Sequence, residues 1–152
     1  MQRITPALAW LAALLFLASW FLPVLDDVPG WMAFRYALAP LLPYGEAGNR
    51  AWEDNAPQVL SALTNVMFVI LFALWASGQA VRAGLFVRFT LACLLLNLYW
   101  FVMAVRNRPD LSDLKFGYYV WMLAFALLVA VAVLNAFAAR RTSKTPTAGT
   151  PS

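Results

Sequence analysis

Few side chains in this protein can carry acid–base, nucleophilic or metal chemistry. Its 152 residues include no histidine, one cysteine (Cys93) and seven carboxylates. Without histidine, imidazole metal sites and histidine general bases are excluded, and a lone cysteine cannot form an internal disulfide or a redox pair. The sequence therefore predicts no catalytic residue, no metal site and no cofactor.

The seven carboxylates all lie outside the long apolar segments, so none is placed to carry a proton through a membrane midplane. This argues against an ion-coupled transporter. One alternative stays open, a membrane enzyme acting on a lipid or glycan, in which two carboxylates about 5 to 10 Å apart serve as acid and base. The acids available for that role are Glu46, Glu53, Asp54, Asp110 and Asp113.

Two amides within apolar segments, Asn65 and Asn97, are the best-placed polar pair. A short connection makes their helices antiparallel neighbours, and at 1.5 Å per residue both amides lie about 18 to 20 Å from that turn. Two amides at one depth on adjacent helices can bond to each other, a contact worth roughly 0.6 and at most about 2 kcal/mol. With Ser61 and Thr64 nearby, we expect these residues to form polar contacts between the helices. The alternative is a small ligand-binding pocket formed by Ser61, Thr64, Asn65 and Asn97, for a lipid headgroup, a quinone or another ligand.

The elements that position these residues must be membrane helices. Apolar residues make up 63% of the chain and charged residues 12%, with a mean hydropathy of +0.71. Soluble domains carry about a quarter charged residues, so this chain has too few charges to cover a surface in water. Composition thus excludes a soluble globular enzyme, a disordered chain and a nucleic-acid binder, although the isoelectric point is near 9.6.

Four apolar stretches are long enough to cross a bilayer, whose core of about 30 Å needs roughly 20 helical residues. They lie at about 7–25, 58–77, 85–105 and 117–139. The predicted fold is all-α, a four-transmembrane-helix bundle forming a single membrane domain over residues 1–139. A polar, disordered cytoplasmic tail is predicted at 140–152.

The connection at 26–57 is long, which is typical of a loop with structure or function of its own. Within it Trp31, Phe34 and Leu38 repeat near the helical period. This pattern predicts a short interfacial helix at 29–39, which Pro40 ends.

The charges favour a topology with both termini in the cytoplasm. In that arrangement six basic residues lie on the cytoplasmic side and five on the outer side, which agrees with the positive-inside rule. All seven acidic residues lie on the outer side. Arg88 would extend toward the headgroups, and tryptophan rings collect at the membrane interface. The predicted lipid-interface residues are Arg88, Trp31, Trp100 and Trp121.

Short segments resemble those of small uncharacterised bacterial four-helix inner-membrane proteins. The segments are Pro29-Gly30-Trp31 with Ala33-Phe34, Ser61-Ala62-Leu63-Thr64-Asn65, and Gly117-Tyr118-Tyr119-Val120-Trp121. The resemblance implies a multi-pass protein of the bacterial inner membrane. By architecture the predicted topology is also similar to claudins and tetraspans, but the loop cysteines of those families are missing here, so their function is not implied.

The missing catalytic groups and the aromatic outer loop favour a non-enzymatic accessory or assembly component. Its partners would be membrane lipids or other membrane proteins, and not nucleic acid. The alternative function is a binder or conduit for a small amphiphile, such as a lipid or quinone, that uses the polar pocket near Asn65 and Asn97 with the loop helix as a lid.

The shared depth of the two amides predicts that cysteines introduced at positions 65 and 97 will bridge or cross-react. Crosslinking of the double variant Asn65→Cys/Asn97→Cys, in a Cys93→Ser background, measures this. A pair that never reacts would show that the two positions lie at different depths.

Overall fold

The structure is a computed structural model that describes residues 4–25, 27–41, 52–78, 83–107 and 114–142. Most of these residues are helical, as an all-α fold requires. The elements in chain order are α1 (Ile4–Ser19), β1 (Pro23–Leu25), β2 (Val28–Pro29), α2 (Gly30–Ala37), α3 (Trp52–Ala76), α4 (Ala83–Asn107) and α5 (Phe116–Thr142).

Among the described residues, three helices are long and apolar enough to cross a membrane. The qualifying segments are Ala56–Ala76 in α3, Ala83–Met103 in α4 and Phe116–Arg141 in α5. All three helices begin before the predicted start of their span, and α4 and α5 also end after its predicted end. The first residues of the predicted tail therefore belong to α5, and residues 143–152 lie outside the described residues.

The first predicted span, 7–25, is not one continuous helix, because α1 ends at Ser19. Proline at position 23 explains the end. It has no N–H to donate to the carbonyl of Ser19 four residues earlier, and its ring would clash with that carbonyl. The N–H groups of Trp20 and Phe21 instead close a tight turn on Leu17 and Ala18. The apolar part of α1, Thr5–Ser19, is shorter than the three segments that are long enough to cross a membrane.

In the helical bundle α1 packs along α5, α5 packs on α4, and α4 packs on α3. Aromatic rings join α1 to α3 and complete the circuit. Phe16 and Phe68 stack with ring centroids 4.2 Å apart, and Phe125 of α5 meets Phe68 edge-on at 5.1 Å. Ala9 and Ala12 on α1 are fully buried, as are Ala124 and Ala132 on α5. Small residues of this kind let neighbouring membrane helices approach closely.

A small two-stranded antiparallel sheet, β1 with β2, interrupts the all-α pattern that the sequence predicts. It turns the chain back over the end of α1. We call this end of the bundle the hairpin end and the opposite end, near Gly78, the turn end. The sequence does not predict these strands for two reasons. Each strand contains a proline, which is rare in strands, and the strands are too short to show an alternating pattern of apolar and polar residues.

Backbone hydrogen bonds tie the hairpin end together. The N–H of Trp31 donates to the carbonyl of Trp20 at 3.0 Å, and the N–H of Lys115 donates to the carbonyl of Val24 at 3.2 Å. These bonds link the end of α1 to the starts of α2 and α5. They also satisfy backbone groups that would be costly to leave unpaired beside an apolar medium.

Two glycines allow this close approach. A Cβ at Gly30 would lie 2.4 Å from the carbonyl oxygen of Ser19, and one at Gly117 would lie 2.5 Å from that of Pro23. Both obstacles are backbone atoms, which cannot rotate away. Glycine is therefore required at the points where α2 and α5 begin against the chain that leaves α1.

We predict that Gly117→Ala lowers the free energy of unfolding by about 1 to 3 kcal/mol, because the new methyl group must push the backbone at Pro23 aside. Gly84→Ala is a matched control. Gly84 is also the second residue of its helix, and its Cβ would meet nothing within 4 Å. The control should be neutral or stabilising by up to about 1 kcal/mol.

Unfolding of both variants in mixed detergent micelles, followed by circular dichroism, measures the difference. Equal stability of the two variants would contradict the packing described for the hairpin end.

Candidate functional site

A cavity of about 160 Å³ lies at the hairpin end, between the long helices and the segment formed by the hairpin and α2. Most of its hydroxyl and amide groups come from one face of α3, where Gln58, Ser61 and Asn65 lie at helical spacing, and Ser19 of α1 adds another hydroxyl. Its aromatic walls come from four different helices or their ends. These rings belong to Trp20, Phe34, Tyr36, Trp100, Tyr118 and Trp121.

The hydroxyl groups of Ser61 and Thr64 both lie within hydrogen-bond distance of the side chain of Asn97 on α4. The hydroxyl of Ser61 donates to Asn97 Oδ1 at 2.8 Å, and Thr64 Oγ1 lies 3.1 Å from the same atom. Thr64 Oγ1 is closer still, at 2.6 Å, to the carbonyl oxygen of Ser61. A hydroxyl has one hydrogen, so Thr64 donates to the nearer carbonyl and Ser61 supplies the bond between the helices.

Asn97 is fully buried, and its amide nitrogen has no hydrogen-bond partner among the described residues. A buried donor without an acceptor costs about 1 to 3 kcal/mol. The backbone carbonyl of Asn97 accepts a bond from the hydroxyl of Tyr118 at 3.4 Å. Ser61 and Tyr118 both line the cavity, so Asn97 does not line it itself but is hydrogen-bonded to two residues that do.

Asn65 bonds to α5 rather than to Asn97. Its Oδ1 accepts a hydrogen bond from the indole Nε1 of Trp121 at 2.7 Å, and its Nδ2 donates to the carbonyl of Ala62 at 2.9 Å. The two amides thus lie in one buried polar cluster, but each has its own partners. The interhelical polar contacts expected from the sequence run from Ser61 to Asn97 and from Asn65 to Trp121.

The four residues predicted at the lipid interface fall into two groups. Trp100 and Trp121 are partly buried and line the cavity. Trp31, on α2, is 42% exposed, and Arg88 is exposed on α4 toward the turn end. The structure therefore gives the two cavity tryptophans contacts inside the bundle in addition to any contact with lipid.

Sequence reasoning missed Gln58 and Tyr118, and it did not give Trp121 a role inside the bundle. The signal was available in part, since Tyr118 and Trp121 are three residues apart and so share a helix face. Both have a polar tip on an apolar body, which suits an interface and a buried hydrogen bond equally well. Only the rotation of α5 distinguishes these two environments.

The described residues that line the cavity carry no charge. None of these described residues is Asp, Glu, Lys or Arg. They offer hydroxyl, amide and ring surfaces, which can hold a ligand by hydrogen bonds and apolar contact. The acids considered for an enzyme (Glu46, Glu53, Asp54, Asp110 and Asp113) have side chains outside the described part of the chain.

Comparison with known proteins finds no match to this chain, whether among family models, curated proteins or solved structures. The function therefore has to be argued from the cavity, from the groups that line it and from its charge.

The Trp121 to Asn65 hydrogen bond should contribute to stability. We predict that Trp121→Phe lowers the free energy of unfolding by about 1 kcal/mol, because it removes the indole donor and leaves Asn65 Oδ1 without that bond. Unfolding in mixed micelles measures the change.

Trp10→Phe is the control, since the same ring reduction is made at a residue that is 57% exposed. Equal effects of the two substitutions would mean that ring size, and not the hydrogen bond, sets the loss.

Proposed function

We propose that this chain is a four-span membrane protein that binds a small uncharged amphiphile in the cavity at the hairpin end. The observation that carries the proposal is the neutral, aromatic-walled cavity with amide and hydroxyl groups on one side. Ligand sites are typically apolar and aromatic concavities with a few polar groups that orient the ligand. No cofactor is assigned by this proposal.

The charge of the lining selects the ligand. An ion entering a cavity with no opposite charge would lose its hydration without compensation, which is strongly unfavourable in an apolar environment. An uncharged group with one or two oxygen atoms could bond to Ser61 and Asn65 while its apolar part contacts the rings. This favours neutral headgroups over phosphate, carboxylate or ammonium groups.

The volume limits the size of the bound group. A cavity near 150 Å³ holds one ring of about the size of benzene, and this cavity has about 160 Å³. One ring of a quinone, or a similar single-ring headgroup, fits this limit. The tail of such an amphiphile would lie outside the cavity, along the apolar surface of the helices.

The segment formed by α2 and the hairpin acts as a lid in this proposal. Ala33, Phe34, Tyr36 and Ala37 of α2 line the cavity, and the ring of Tyr36 is at the same time 57% exposed. Trp31 of the same helix is exposed and does not line the cavity. A helix that contacts the cavity and also exposes aromatic rings is suited to lie at a membrane interface.

The four-span topology treats α1 as the remaining membrane helix. Two observations support this assignment. Helix α1 packs along α5, and its large exposed side chains are apolar: Trp10, Leu11, Leu14 and Leu17. Such a face is stable against lipid and unfavourable in water. Sixteen residues are short for a span, and the hairpin that caps α1 adds to the thickness at that end.

The proposed location is the bacterial inner membrane with both termini in the cytoplasm, which rests on the charge distribution and the resemblance of short segments. An accessory or assembly role, with lipids or other membrane proteins as partners, is the second candidate. It is favoured by the exposed apolar side chains that α3, α4 and α5 also carry, such as Val69, Leu95 and Leu123.

Tryptophan fluorescence tests the ligand proposal, because Trp20, Trp100 and Trp121 line the cavity. A benzoquinone with a ten-carbon tail, titrated into the detergent-purified protein, should quench this fluorescence saturably. Ala33→Phe should abolish the saturable part by filling the cavity, whereas Ala73→Phe, at an exposed residue of α3 away from it, should leave it unchanged.

Amphiphiles with the same tail and a sulfate or trimethylammonium head should not compete. Quenching that rises linearly and equally in both variants would indicate partitioning into detergent and would refute the cavity as a binding site.

A further inference from the structure

A second concave site lies at the turn end, on the outer surface between α4 and α5. Its volume is about 530 Å³. Arg88 from α4 and Arg140 from α5 line it together, so two guanidinium groups from different helices face one groove. We call it the arginine groove; its other walls include Gly84, Val87, Ala136 and Phe137.

The groove lies where a membrane would place lipid headgroups. Arg88 is inside the apolar segment that begins at Ala83, little more than one turn from its start. Arg140 is next to the end of the segment that finishes at Arg141. The two helices are antiparallel, so both arginines are near the same face of the membrane. Below them the groove is lined by small and apolar residues.

The surroundings of the groove carry no negative side chain from the neighbouring helices. The sequence contains no Asp or Glu in residues 55–109 or 114–152, which include almost all of α3, α4 and α5. An anion bound there would be stabilised by two guanidinium groups at the edge of a low-dielectric region, where such attraction is strong.

We propose that the arginine groove is a binding site for an anionic phospholipid. The planar donor forks of two arginines match the oxygens of a phosphate group, and such bonds are among the strongest hydrogen bonds in proteins. The apolar walls suit the acyl chains, as in basic pockets between membrane helices. An inorganic phosphate ion would use the arginines alone, so the apolar walls favour the lipid.

This site is separate from the cavity at the hairpin end. The two have no lining residue in common, and they differ in charge. Loss of lipid binding in the groove therefore leaves the proposal of an uncharged ligand in the cavity untouched, and the reverse also holds.

Native mass spectrometry tests the site by counting lipids that stay bound to the full-length protein released from nanodiscs. The nanodiscs contain equal parts of phosphatidylglycerol and phosphatidylcholine. Wild-type protein should retain phosphatidylglycerol preferentially. Arg88→Gln and Arg140→Gln should each weaken this retention by about tenfold or more, the size expected for losing a charge-assisted bond.

Arg141→Gln is the matched control, because it removes the same charge from the residue next to Arg140, which does not line the groove. It should retain phosphatidylglycerol at the wild-type level. A loss equal to that of Arg140→Gln would show that net charge alone attracts the lipid, and it would overturn the proposal.

Gly84→Leu tests the apolar walls without changing the charge. A side chain at Gly84 has open space, so the variant should fold, and the leucine would occupy part of the groove. Phosphatidylglycerol retention should fall by about tenfold or more, as for the arginine variants. Unchanged retention in Gly84→Leu, complete displacement of the lipid by millimolar inorganic phosphate, or equal retention of phosphatidylcholine would each contradict a phospholipid site.

Discussion

The hydrogen bonds that join residues 20–25 to the first turns of α2 and α5 hold the hairpin end together, and much of the remaining structure depends on them. When α1 ends at Ser19, the chain has backbone donors and acceptors that must be paired near an apolar medium. The hairpin pairs some of them, and the starts of α2 and α5 pair others. Because Gly30 and Gly117 lack a Cβ, these backbones come close enough to bond, and the cavity lies beside them.

The polar cluster beside the cavity consists of few side chains, and nearly all of their polar atoms form hydrogen bonds. Ser61 connects α3 to α4 through Asn97, and Asn65 connects α3 to α5 through Trp121. These bonds orient α3 with respect to both neighbours, which places Gln58 on the same face as the cavity. The two concave sites thus differ in charge: the described lining of the cavity at the hairpin end has no charged side chain, whereas Arg88 and Arg140 line the groove at the turn end.

The predictions from sequence succeeded where a long segment decided the outcome and failed where a few residues decided it. Three apolar helices could be expected because runs of about 20 apolar residues are stable in few places other than a bilayer. The sequence indicated that Asn65 and Asn97 could bond to each other, but Asn97 instead accepts a bond from Ser61 at 2.8 Å and Asn65 accepts one from Trp121 at 2.7 Å. The end of α1 could have been anticipated from Pro23, whereas the partner of Asn65 could not, since Trp121 is 56 positions away in the chain.

The sequence by itself determined that this is a helical protein suited to a membrane, and it excluded histidine chemistry and disulfides. The physical reason is that solvation of a long uncharged helix depends on composition and length, which are local properties. The tertiary structure alone decided which helices are neighbours, how the chain folds back after Ser19, and that Tyr118 and Trp121 face the cavity. The rotation of each helix about its axis is set by packing against the others, so no segment read by itself contains it.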